Sequence, residues 1–345
     1  MKKILILFIA LLALLLPLQA QDDETSFNLF SEDAVVTRDN FTFTDPGAVM
    51  VHDGTYYMFH NKFARWPGRV SVYLSTSEDG LNWEAVNRSV IFNGEDIEYV
   101  GTTLLASSVL VEDDGTWVMY FYNWETSEGM APVSIGRATA PSPEGPWVAD
   151  PELILLPGSE GEWDALQVTA PDVIRAEDGS YLMYYTGVDE DEILRIGMAT
   201  SEDGINWTKY DDPQTTEAPF AESDPILAAF DHPEILSGKS EVWQPRVQLT
   251  PDGYVMLLKN GGSFYDRGAV LNFAYSEDGV DWAIEYSETP PVKGQVIDRG
   301  NAIWFADLLH NDNTYFVYSE IGSVDEFVGY VTEVYVSTYR GSLRD

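Results

Sequence analysis

The chain contains no cysteine, four histidines, and 19 basic residues against 57 acidic ones. Without cysteine there are no disulfides, no thiol nucleophile and no thiolate-bound zinc, so stability must come from burial. His52, His60, His232 and His310 share no paired spacing, which argues against a histidine-built metal centre, and no cofactor is expected. A formal net charge of −38 repels nucleic acid and anionic lipid, so neither is an expected partner. The chain also lacks a phosphate-binding glycine loop, an HExxH pair and a nucleophile elbow. Beyond the first twenty residues no run is apolar enough to cross a bilayer.

Those twenty residues, MKKILILFIALLALLLPLQA, have the pattern of a secretory signal: Lys2 and Lys3, an apolar stretch over Ile4–Leu16, then a small-residue exit before Gln21. A secreted or periplasmic location follows as an expectation, with residues 21–33 as a lead-in and 34–345 as one folded domain.

What the rest of the chain has in abundance is repetition. The phrase Ser-Glu-Asp-Gly-x-(Asn/Asp)-Trp occurs at 77–83, 201–207 and 276–282, and a worn form, APSPEGPW, at 140–147. Upstream of each lies a short apolar strand, an Asp-centred turn and an aromatic strand: DPGAVMVHDGTYYMF (45–59), ASSVLVEDDGTWVMY (106–120), APDVIRAEDGSYLMY (170–184) and QPRVQLTPDGYVML (244–257); a weaker fifth, WFADLLHNDNTYFVY (304–318), is followed by no copy of the phrase. Asp-Gly between alternating apolar residues is a hairpin signal. A third strand follows each hairpin, so each unit holds about four strands, the size of a propeller blade. The expected fold is all-β, a five-bladed β-propeller. Its ring is closed by an N-terminal strand, AVVTRDNFTF (34–43), which supplies the outer strand missing from the fifth unit.

In such a ring the first strand of each blade lines the channel. Alignment on Pro46, Ser107, Pro171, Pro245 and Phe305 brings Asp45, Asp172, Gln244, Arg246 and Trp304 toward one ring, suited to binding a polyol. Trp243, Trp304 and Trp66 can stack on sugar faces, and Arg65 with Trp66 lies on a loop expected over one mouth of the channel. Asp189–Glu192 could hold a structural calcium, although it lacks the spaced ligands of a calcium loop.

The pattern Asp-Pro-x-x-Val-x-x-x-Asp-Gly-x-Tyr-Tyr, followed by Ser-x-Asp-Gly-x-x-Trp, resembles the five-bladed propeller glycosidases, glycoside hydrolase families 43 and 32 among them, over nearly all of residues 34–340. The resemblance implies an enzyme that cleaves oligo- or polysaccharide by inversion, with Asp45 as catalytic base; the signal segment adds the expectation of export, and a monomer is expected. It transfers the other acids poorly. Ala170 stands where family 43 has a pKa-tuning Asp, leaving Asp172 and Asp164 as substitutes. Trp243 stands where it has the acid Glu, leaving Glu241. The alternative reading is a carbohydrate-binding propeller with a degenerate site. Inversion needs an ionised and a protonated carboxyl about 6.5–9.5 Å apart, which different blades facing one channel can provide.

Overall fold

The computed structural model describes residues 31, 33–66, 68–93, 103–124, 133–228, 241–261, 270–285 and 303–344. The signal segment lies outside them. Within them the chain forms five antiparallel sheets in sequence order, each a meander running from an inner strand outward. The inner strands are Phe43–His52, Leu104–Val111, Gln167–Arg175, Val242–Thr250 and Ile303–Asn311. Each inner strand lies beside the next, and the fifth beside the first, which makes the five-bladed propeller. Blades one, two and four have four strands; blade three gains a fifth from Pro225–Leu227, and blade five has three.

The N-terminal segment does not form the regular strand expected over 34–43. It meets the outer strand of blade five, Gly329–Arg340, at a single bridge between Val36 and Val334. Backbone N–H groups of Ser31, Val35 and Val36 donate to Val336 and Val334, and Val334 N–H donates back to Val36. Phe43, the end of the expected strand, already belongs to the inner strand of blade one.

The repeated phrase is a clasp between blades. In the first copy Ser77 Oγ accepts the N–H of Gly80 (2.9 Å), and Asp79 Oδ1 accepts those of Leu81 and Asn82 (both 2.8 Å). This tight turn aims the Gly80 carbonyl at the neighbouring blade, where Tyr318 Oη donates to it at 2.8 Å, while Trp83 packs edge-on against the same ring. The other two copies repeat the geometry, Gly204 with Tyr120 (3.1 Å) and Gly279 with Tyr184 (3.0 Å). Gly80 is at φ +74° with aromatic rings on every side, so a larger residue there would both strain the turn and break the contact. Where the phrase is worn, Trp147 meets Phe59, which has no hydroxyl. The tyrosine is present at the blades where the full phrase docks.

Candidate active site

Every inner strand carries a β-bulge near its start, between Asp45 and Ala48 in blade one and between Trp243 and Arg246 in blade four. Gly47, Ala170 and Gln244 sit there at positive φ (59°, 50° and 52°). Bulges re-aim side chains, and here they split the expected single ring into two levels.

The upper level is an aromatic cleft of about 180 Å³, lined by Trp66, Trp124, Trp243, Trp304, Phe43, Phe63, Phe305, Tyr122 and Tyr330, with Thr332 and one acid, Glu320. Trp66 and Trp124 lie with ring centroids 5.6 Å apart. Lys259 is buried beneath, its Nζ 4.3 Å from the Trp243 ring centre and donating to the Trp304 carbonyl at 2.8 Å. Tyr122 and Phe305 also line a narrow crevice that holds Asp45, Asn61 and Arg246, so crevice and cleft share a wall.

Asp45 is 1% exposed. Its Oδ1 accepts the Gly47 N–H and the Asn61 Nδ2, both at 2.8 Å, while Oδ2 is buried and accepts nothing among the described residues. Burial pushes its pKa up to about 7, against the opposing pull of Asn61, the Gly47 amide and Arg246. Gly47 has no room for a Cβ, which would overlap the Phe59 carbonyl, so the amide that holds Asp45 depends on a glycine there. Glu320 is 2% exposed, and its Oε2 likewise accepts no hydrogen bond among the described residues. Burial first, then the charge of Asp45, drive its pKa well above the carboxylate range, with Thr332 and Lys259 pulling the other way. Blades one and five thus supply two buried carboxylates that feel each other, each with an unclaimed oxygen among the described residues.

The lower level is built differently. Arg246 approaches Asp307, Nε to Oδ1 at 3.3 Å, and its Nη2 donates to Ser107 Oγ at 3.2 Å. Asp172 Oδ2 accepts the Val247 N–H at 2.5 Å, and Asp307 Oδ2 accepts the Val49 N–H at 2.6 Å. Each acid therefore fastens its blade to the next. Burial raises the pKa of both, Asp307 to about 7, with Arg246 opposing. The alignment on Phe305 puts Ala306 in the place that Asp172 and Arg246 hold after Pro171 and Pro245, whereas the strand register puts Asp307 there. Counting back from the turn aspartate slips by one, because that residue opens a two-residue turn in blade five but comes later in the turns of blades three and four.

Of the residues expected from sequence, the structure brings Trp66, Trp243 and Trp304 into the cleft and Asp45 into the crevice beside it. Asp172 and Arg246 face the channel at the lower level. Gln244 is buried with its amide unpartnered among the described residues, and its N–H donates to Thr186 Oγ1 at 2.8 Å. The other three join none of these groups. Arg65 is exposed on its loop and does not line it. Glu241 lies just before the blade-four inner strand, buried, outside both cleft and crevice linings. Asp164 is held away from the channel by Lys209 Nζ (2.6 Å), Tyr185 and the Gly158 amide. Asp189 pairs with Arg195 at 2.8 Å and accepts the N–H groups of its own turn. Among the described residues no three metal-ligating side chains converge.

Glu320 was not among the expected residues, yet a signal for it exists. The residues two positions after the clasp position of each second strand are Asn61, Tyr122, Thr186, Lys259 and Glu320. All are polar or polar-tipped, all are buried, and all stand opposite the inner-strand bulges. Asn61, Thr186 and Lys259 use their polar atoms to bond the next blade's backbone. Glu320 instead lines the cleft, with Oε2 accepting no hydrogen bond among the described residues and Asp45 close enough for its charge to be felt.

Residues 37–228 match the model of the glycosyl hydrolases family 32 N-terminal domain. Among solved structures the chain is similar to one described as a glycoside hydrolase (17% identity, TM-score 0.67, 92% of this chain and 93% of that one). It is similar also to a thermostable family-43 glycoside hydrolase (14%, TM-score 0.62, 90% and 92%). A third is a family 117 glycoside hydrolase of the marine bacterium Zobellia galactanivorans (16%, TM-score 0.62, 92% of each). At these identities the likeness is one of fold. No curated protein matches the sequence.

Proposed function

This chain belongs to the glycosyl hydrolase family 32 N-terminal-domain family, and from that membership we propose that it hydrolyses glycosidic bonds of oligo- or polysaccharides in the aromatic cleft. The observation that carries the proposal is the pair Asp45 and Glu320, each buried and each with one oxygen unclaimed among the described residues. Two interacting carboxylates cannot both ionise readily, so one keeps its proton. Asp45 has a guanidinium and two N–H donors to favour its anion and takes the role of base. Glu320, raised well above the carboxylate range by burial and lining the cleft itself, takes the role of acid to the leaving oxygen. Aromatic walls offer stacking faces to sugar rings and exclude water from them.

Inversion is part of the proposal. Asp45 stands behind Tyr122 and Phe305, outside the cleft lining, a position that suits a base working through a water better than a nucleophile that must touch the anomeric carbon. So is export, supported by the N-terminal twenty residues, and so is ring closure by the segment that bridges to Val334. The chain is proposed to act as a monomer.

A panel of aryl glycosides and neutral oligosaccharides tests the function. Turnover of at least one by wild type, lost in Asp45→Asn, is the expected result. Binding without turnover by wild type would make this a carbohydrate-binding propeller instead.

A further inference from the structure

The second and third strands of blade five, Thr314–Asp325 and Gly329–Arg340, are each 12 residues long, where the corresponding strands of the other blades have 6 to 9. The extra length makes a hairpin arm. Its register pairs Glu320 with Val334, Gly322 with Thr332 and Val324 with Tyr330. Paired residues share a face and alternate ones return to it, so Glu320, Thr332, Tyr330 and Val324 lie on one side of the arm. Glu320, Thr332 and Tyr330 line the aromatic cleft. Val324 continues that face outward and is 72% exposed, and Phe327 at the tip is 94% exposed. From Glu320 to Val324 the face runs about 13 Å at the rise of an extended strand.

The arm is set in position from both sides. Gly322 has no room for a Cβ, because the Tyr330 ring lies back across it, and Trp304 Nε1 donates to Tyr330 Oη at 2.6 Å. Residues of the opposite face are held by the N-terminal segment: Arg38 Nη2 bonds Asp325 Oδ2 at 3.1 Å, and the Arg38 N–H donates to Glu333 Oε1 at 3.3 Å. Asp325 Oδ1 also accepts the N–H groups of Phe327 and Val328, at 2.8 and 2.9 Å, which orders the tip.

We propose that the cleft-side face of this arm is the leaving-group subsite, on which neutral sugar residues of the substrate lie from Tyr330 out over Val324 to Phe327. The inference rests on Glu320 being the acid. An acid must stand at the leaving oxygen, so the departing part of the substrate extends along the structure that carries Glu320. The face offers apolar surface suited to the C–H faces of sugars. Asp325 and Glu326 at the tip, in a chain of net charge −38, disfavour uronates and sulfated sugars.

The test compares two substrates of the same hydrolysed sugar: an aryl glycoside with a small leaving group and a neutral oligosaccharide. Val324→Asp and Phe327→Ser raise KM on the oligosaccharide about tenfold together, change kcat less than about twofold, and leave the aryl glycoside within about twofold. Val324→Ile keeps the oligosaccharide KM near wild type. Equal losses on both substrates would make the arm a support for Glu320 only, and no change on either would also overturn the proposal. So would unaltered kinetics with a lower sedimentation coefficient, which would assign the tip to contact with a second copy. If wild type turns over nothing, the hydrolase reading fails by itself. Calorimetry with the same oligosaccharide then decides the arm: weaker binding by Val324→Asp supports it and equal binding sinks it.

Discussion

The acids around Arg246 and the acids at the aromatic cleft are all buried, and both sets hold their protons more tightly than ordinary carboxylates. They differ in what their oxygens do. Asp172 and Asp307 give an oxygen to the backbone N–H of the next blade, and Arg246 lies between them. Asp45 and Glu320 each keep one oxygen unclaimed among the described residues. Burial and a raised pKa are therefore common to a structural joint and to a reactive pair, and only the free oxygen separates them. Perturbed titration alone would have selected both sets.

The largest expected effect sharpens that separation. Asp45→Asn and Glu320→Gln lower kcat/KM on oligosaccharides by about 10²–10⁴-fold, the usual contribution of a general acid or base, with thermal stability unchanged or higher. Asp172→Asn and Asp307→Asn do the reverse, lowering the melting temperature while retaining most of the activity. Steady-state kinetics and calorimetric melting on the four variants check this.

Next in size is the joint itself. Arg246→Ala leaves acids buried beside a missing cation and costs about 3–5 kcal/mol in denaturant titrations at pH 8. At pH 5 the loss is smaller, because the acids then take up protons. The sign for wild type follows the same rule. Asp45 and Asp307 have folded pKa values raised from 3.8 to about 7, so the folded state binds more protons than the unfolded one between those values. Their contribution is fully present below about pH 4, is lost as pH rises through about 7, and should appear as a falling denaturation midpoint across that window.

The smallest effect concerns the clasps. Tyr120→Phe, Tyr184→Phe and Tyr318→Phe each remove a hydrogen bond to a phrase glycine carbonyl and cost about 1 kcal/mol. Measured singly and together, the three costs add, since each joins a different pair of blades.

The blade count and order are legible in the sequence because each blade repeats the same turn chemistry, from the Asp-centred hairpin to the Ser-Asp-Gly-Trp clasp. Asp45 is legible because the Asp-Pro dipeptide sets blade one apart from the other repeats. Arg246 could be read only as a channel residue. Its commitment to Asp307 depends on a turn-length difference that the spacing hides, since Ala306 and Asp307 exchange places if one turn is a residue shorter. Asp164 and Glu241 look no different in sequence from channel acids, and only the packing of Lys209 and Tyr185 shows where Asp164 goes. Glu320 is not legible from the inner strands, which are the ones expected to line a propeller channel. It comes instead from a second strand, at a position where the bulge opposite lets a long side chain reach in. The polar ring Asn61, Tyr122, Thr186, Lys259 and Glu320 was the available clue.

The most direct test is the pH dependence of kcat/KM for wild type and Glu320→Gln on an aryl glycoside whose leaving group needs no proton. Wild type should give a bell with its acid limb near pH 7, set by Asp45. Glu320→Gln should keep that limb, lose the alkaline one, and fail on oligosaccharides that require protonation. A Glu320→Gln profile that retains both limbs, with undiminished oligosaccharide cleavage, would contradict the assignment of Asp45 and Glu320 as base and acid.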